Sequence, residues 1–200
     1  SRGQLSVVEL SNARSSQISV TSSIYNALGS LVDTRVHQVP AHGTKHIITS
    51  SLLSGEVGQV VLDGSAVTSV VASISHYGYA SDNAISYVYS IPAKEAAGSS
   101  LNGSYNTFLG QGCNIFAANP SSQAVTASIT VTRFDGTQII SGLNRQIQAK
   151  GILNQNICGS ENSSAYGVIN VQPSIANTLY INMIRNGRND SYRFPTMVRQ

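Results

Sequence analysis

The chain contains no tryptophan, and only 10% of its 200 residues are charged. It has only two cysteines and five prolines. Each scarcity excludes something. Nine acidic residues, scattered as Asp33, Asp63, Asp82 and Asp135 among others, lack the local carboxylate density of a calcium cage or a paired-carboxylate hydrolase. Two cysteines 45 positions apart, Cys113 and Cys158, lack the paired spacing of a zinc site. Neither has a histidine nearby in sequence, which argues against a catalytic thiol. No apolar run approaches the length of a membrane-spanning helix, and no secretory h-region is present. No segment shows a convincing period of 3.6 residues; AKEAAG at 93–98 supports one helical turn at most.

What remains is abundant Ser, Thr, Asn, Gln, Ala and Gly with 41% hydrophobic residues. That weakly charged, hydroxyl-rich composition fits a β-rich module outside the cell better than a cytosolic enzyme. The net charge of +3 is mild, with arginines late in the chain at Arg185, Arg188, Arg193 and Arg199. They lack the aromatic interleaving of a nucleic-acid surface, so no nucleic-acid partner is expected. No Gly-x-Ser-x-Gly elbow, Ser-x-x-Lys motif or phosphate-cradling loop is visible, and the chain reads as neither an enzyme nor a cofactor binder. His37, His42 and His46 lie close together, but Pro40 and Gly43 oppose the helix that would bring His42 and His46 onto one face. They read as edge or exposed histidines rather than as a metal site.

The most regular stretch runs from Ile115 to Gly151. Val125, Ala127, Ile129, Val131 and Arg133 alternate with Thr126, Ser128, Thr130 and Thr132, the period of a strand with one buried face. Asp135-Gly136 then marks a hairpin turn, and Asn119-Pro120-Ser121-Ser122 marks a turn before the strand.

The same series occurs earlier in the chain. Asn12 and Gly29 precede Asn119 and Gly136 by 107 residues, and each asparagine is followed by a Ser-Ser-Gln. Val39–Gly43 matches Ile147–Gly151 at 108. Val57–Leu62 matches Tyr166–Val171, and His76–Gly78 matches Arg185–Gly187, both at 109. Ser86–Tyr89 matches Ser191–Phe194 at 105. Offsets that change only between strands indicate a duplicated β-module, because loops accept insertions while a slip inside a strand inverts its buried face.

The expected fold is therefore all-β: two tandem antiparallel β-sandwich domains of about seven strands each. The first module spans 1–93 and the second 107–200, with the Gly- and Ser-rich stretch 94–106 as a linker or entry loop; the alternative is that the last strand of one module closes into the sheet of the next. Ser1-Arg2-Gly3-Gln4 lacks an initiator methionine, so a processed product or a piece of a longer protein is expected. SYRFPTMVRQ repeats SYVYSIPAKE, which leads us to expect a third module after it.

The series of an asparagine turn, an alternating strand, a Gly turn, an x-Ala-x-Gly corner and YGVINV resembles immunoglobulin-like modules arrayed in bacterial secreted and cell-surface proteins. That resemblance implies a structural, adhesive or assembly role without catalysis, with self-association or other surface proteins as partners. Many such modules carry a tryptophan near the first strand; Ile115 or Phe116 stands there here.

Candidate sites follow. In an exported chain Cys113 and Cys158 read as one disulfide between the second module's first strand and a later loop, the alternative being two buried thiols. Tyr77, Tyr79, Tyr87, Tyr89 and Tyr105 cluster around the module boundary and either pack the junction or stack on sugar rings. Together with loops at one pole of a sandwich, they define the alternative function of a carbohydrate- or peptide-binding module. Leu5 and Val7 of the first strand, and Tyr192 and Phe194 of the last, are the expected edges for assembly.

Overall fold

The computed structural model describes residues 4–53, 55–159, 161, 164–187 and 193–197. It divides into two compact units, Ser1–Lys94 and Glu95–Gln200. The first contains β1 (Gln4–Asn12), β2 (Ile18–Asn26), β3 (Leu31–Val39), β4 (Thr44–Ile48), β5 (Gly58–Asp63), β6 (Val70–Tyr79) and β7 (Ile85–Pro92). They form two antiparallel sheets, ordered β4-β1-β6-β7 and β3-β2-β5. The second contains β8 (Leu101–Asn106), β9 (Gly112–Ala118), β10 (Val125–Arg133), β11 (Gln138–Ile147), β12 (Ile152–Asn156), β13 (Tyr166–Pro173), β14 (Tyr180–Asn186) and β15 (Arg193–Met197). Its antiparallel sheets are ordered β12-β9-β14-β15 and β11-β10-β13-β8.

The two sheets of each unit enclose one core. Val125, Ala127, Ile129 and Val131 of β10 meet Ile115 and Ala117 of β9 and Ile181 and Met183 of β14. The intervening Thr126, Ser128, Thr130 and Thr132 are only partly covered, so the alternation in the sequence is the division between core and surface. In the first unit Val8 and Leu10 of β1 meet Ile18 and Val20 of β2 and Val39 of β3.

The duplication extends to residue register. Ile18 faces Val39 as Val125 faces Ile147. Ile24 faces Val60 as Val131 faces Ile169. Ser75 faces Ser90 as Ile184 faces Pro195. The offset rises from 107 at the Gly29 and Gly136 turns to 108 at the following corners. The additional residue is absorbed inside β11, where the pairing with β10 shifts between Ile129 and Val131 and Gly142 adopts φ 59°. A bulge takes up the insertion without inverting the strand.

Both copies are built around an asparagine. The Asn119 side chain is fully buried, and its Nδ2 donates to the carbonyl oxygens of Gln123 (2.7 Å), Gln148 (3.0 Å) and Ile147 (3.3 Å). Its Oδ1 accepts from the Ser121 amide at 3.1 Å. Asn12 repeats this with Ser16 (2.8 Å), Pro40 (2.9 Å) and Val39 (3.2 Å), and its Oδ1 accepts from the Arg14 amide at 2.9 Å. The backbone amides of Asn12 and Asn119 donate to Gly43 and Gly151, each at 2.9 Å.

The linker expected over 94–106 is corrected in part. Leu101–Asn106 is a strand, paired antiparallel with β13 from Leu101 opposite Val171 to Asn106 opposite Tyr166. Leu101 and Tyr105 enter the core, each 1% exposed, so burial outweighs the loop-like composition of the segment.

Replacing Asn119 by alanine removes three hydrogen bonds to backbone carbonyls, of which the one to Ile147 is buried, and is expected to cost the second unit roughly 3 kcal/mol. Asn119→Asp, which brings a carboxylate without donors to those same carbonyls, is expected to cost more. Urea unfolding followed by amide exchange in each unit measures both. Equal stability of Asn119→Ala and the parent chain would refute this role.

Candidate functional site

Cys113 and Cys158 are joined in a disulfide, with Cα atoms 5.3 Å apart. It ties β9 to the segment that follows β12, as expected. Register gives its counterparts in the first unit: Asn114 faces Asn156 where Val7 faces Ile48. Cys113 therefore corresponds to Ser6 and Cys158 to Ser50. The first unit bridges the same two segments by hydrogen bonds, with the Thr49 amide donating to the Ser6 carbonyl at 2.9 Å.

The five tyrosines do not form one group. Tyr105 belongs to the core of the second unit. Its hydroxyl donates to Glu161 at 3.4 Å, and Glu161, with a fully buried side chain, pairs with Arg133 at 2.7 Å. Desolvation, reinforced by that carboxylate, pushes the Tyr105 phenol up to about 12. The other four lie on β6 and β7 of the first unit. Tyr89 is buried and packs on His76 with ring centroids 4.8 Å apart, while Tyr87 stacks beside Tyr89 at 6.1 Å. The Tyr87 ring lies directly over Gly78, where any side chain would collide with it. Tyr77 and Tyr79 are half-exposed and project from the other face of β6.

The expected assembly edges change as well. β1 lies between β4 and β6, so Leu5 and Val7 are on an interior strand whose two sides are already paired. Leu5 faces Tyr77 across the sheet. β15, which contains Phe194, is an outer strand bonded to β14. Tyr192 lies outside the described residues.

The three histidines diverge. His37 is buried, with Nε2 2.8 Å from the Ser22 hydroxyl. Burial, reinforced by Lys45 and Arg35, lowers its pKa below the usual 6.5, with Asp33 opposing. His42 occupies the corner at φ 51°, and His46 is exposed on β4. Among the described residues, no three His, Cys, Asp or Glu side chains form a group able to hold a metal. No helix there is long and apolar enough to cross a membrane.

A site absent from the sequence reading lies at one pole of the second unit. Phe134, in the β10–β11 hairpin, stacks on Tyr166 with centroids 4.6 Å apart. Both are largely exposed, at 65% and 51%. The Phe134 amide donates to the Tyr166 carbonyl at 3.0 Å, and the Thr107 amide to the Ala165 carbonyl at 2.8 Å. These bonds bring Phe108 and Leu109, also largely exposed, to the same end of the sheet. Leu109 sits at φ 60°, a conformation that β-formers avoid. Exposed aromatics of this kind suit contact with a flat apolar or sugar surface. The only sequence signal was Phe134 beside an Asp-Gly turn.

Compared with protein-family models, curated proteins and solved structures, the chain matches none.

Two outcomes are expected from these sites. Ser6→Cys with Ser50→Cys places a second bridge in the first unit, closing a loop similar to that of the native one. Loops of this size confer at most about 4 kcal/mol, read as a raised thermal midpoint that dithiothreitol abolishes. For His37, protons bind the unfolded chain more readily than the folded one. The stability it contributes is complete above its unfolded value and declines as pH falls below 6.5 towards the folded value. Urea midpoints of the first unit are expected to show that decline, and His37→Gln to flatten it.

Proposed function

We propose that this chain is a non-catalytic structural or assembly component of a bacterial cell surface or secreted structure, built from two tandem immunoglobulin-like modules. One observation carries the reading: the chain repeats a single sandwich twice, with the same register and the same asparagine-locked corner. Reuse of one unit favours spacing and repetition, the properties a fibre, sheath or spacer needs. The disulfide supports an oxidising, extracellular location. Self-association or other surface proteins supply the partners.

The exposed Phe134–Tyr166 stack favours a second reading, a carbohydrate- or peptide-binding module that uses the pole of one sandwich. Tyr77 and Tyr79 are half-exposed and remain candidates for it, whereas Tyr105 is buried.

Electron microscopy of native material, with a glycan array run on the purified chain, separates the two readings. Ordered polymers without glycan binding are expected. Isolated particles that bind glycans, and lose that binding when Phe134 and Tyr166 become alanine, would replace the first reading with the second.

A further inference from the structure

The outer face of the sheet β4-β1-β6-β7 differs from its counterpart in the second unit in chemistry rather than in backbone. Side chains of β1 alternate, with Val8 and Leu10 in the core, so Leu5 and Val7 point outward. Across the sheet Tyr77 lies between Leu5 and Val88, and Ile48 lies beside Val7. Ser75 and Ser90, which continue the row of Ile48 and Val7, satisfy each other at 2.7 Å. Tyr79 faces Ile85 at the end of β6, where the pairing with β7 shifts and keeps Ile85 on the same side as Tyr79. Ile48, Ile85 and Val88 are 57%, 57% and 50% exposed.

The second unit has the same register at these places but polar residues. Asn114 faces Asn156, Gly112 faces Asn186, and Asn186 faces Arg193. Ile48, Val7, Leu5, Tyr77 and Val88 thus correspond to Asn156, Asn114, Gly112, Asn186 and Arg193. The sheet forms with polar residues or glycine at each place, so the fold does not require the apolar set. Exposed apolar residues grouped on one face mark an interaction surface.

The rest of the chain selects the occupant. The outward residues of β10 and β13 include Thr126, Ser128, Thr130, Asn170 and Gln172, and those of β2 include Ser19, Thr21 and Ser23. Within the chain, the apolar face therefore finds its match in the same face of another copy. None of its side chains is charged, and the first charge along β1 on that side is Glu9. Two copies related by a two-fold axis therefore bring no like charges together at the centre. The face presents on the order of 400 Å² of apolar surface, about the apolar share of the roughly 800 Å² that each partner buries in a stable interface.

We propose that this face is a self-association surface, on which the first unit of a second copy packs sheet against sheet around Tyr77. Two such faces pack with their strands nearly aligned and their side chains interdigitated, as the sheets of one sandwich do. A central tyrosine flanked by aliphatic neighbours is the kind of anchor on which such contacts concentrate their energy. The face supplies the contact that the assembly reading requires, and rests on that reading to that extent.

Sedimentation of the full chain is expected to show a monomer–dimer equilibrium. Tyr77→Asn and Val88→Arg install the residues that the second unit has at these places. Each is expected to weaken the dimer at least about tenfold while the thermal midpoint and circular dichroism are retained. Hydroxyl-radical labelling of Tyr77 and Tyr79 in the parent chain, which needs no substitution, is expected to fall as concentration rises. A chain that is monomeric at every concentration, or a dimer indifferent to both substitutions, would overturn the proposal. So would labelling of Tyr77 that is low and independent of concentration, because the cover would then come from the chain itself. Glycan binding by a monomeric chain, lost in Tyr77→Asn, would give the face to the second reading and overturn self-association. Polymers that form unchanged from the doubly substituted chain would overturn the face while leaving the assembly reading in place. A dimer lost in both variants, from a chain that forms no polymers, would sustain the face and remove the assembly reading.

Discussion

The fold depends on a carboxamide placed where two chain crossings meet. β1 and β2 belong to opposite sheets, as do β3 and β4, so the β1–β2 turn and the β3–β4 corner both pass from one sheet to the other. Asn12 bonds carbonyls of both connections at once, and Asn119 does the same one repeat later. An amide nitrogen is suited to this because its two hydrogens can be shared among three carbonyls while its oxygen closes the turn. Aspartate lacks the donors, and serine lacks the reach. Neutral and satisfied, the group can be buried between the sheets without the desolvation cost of a charge.

Around that fixed point the two copies have diverged in how they close. Both join their corresponding segments by a backbone bond, from the Thr49 amide to the Ser6 carbonyl in the first and from the Ile157 amide to the Cys113 carbonyl in the second, and the second adds the Cys113–Cys158 disulfide. The second contributes a fourth strand to the β10 sheet and buries a larger core, with Tyr105 held by the Glu161–Arg133 pair. The first buries His37 on Ser22 in the corresponding sheet and uses Leu53 as a partial cover.

The errors in the sequence reading share a cause. Leu101–Asn106 reads as linker because its six residues hold two apolar side chains among Asn, Gly and Ser; only the edge of β13 makes it a strand. Leu5 and Val7 read as an edge because their strand comes first in the chain, but order in sequence does not determine order in a sheet, and β1 lies between β4 and β6. The tyrosines read as a cluster because they lie near one another along the chain, while alternation sends Tyr77 and Tyr89 to opposite faces. The aromatic pole escaped notice for the converse reason: Phe134 and Tyr166 are far apart in sequence and meet only through strand pairing.

What the residues settled alone is what short-range periodicity encodes: the strands other than β8, the buried faces of the regular ones, the turns and the duplication with its offsets. An alternating run can bury only one of its faces, and an inserted residue can be tolerated only where the chain turns or bulges. The tertiary structure decided which strands are neighbours, which edges stay open and where Cys158 meets Cys113. Those depend on contacts between residues tens of positions apart, whose pairing energy no local pattern records.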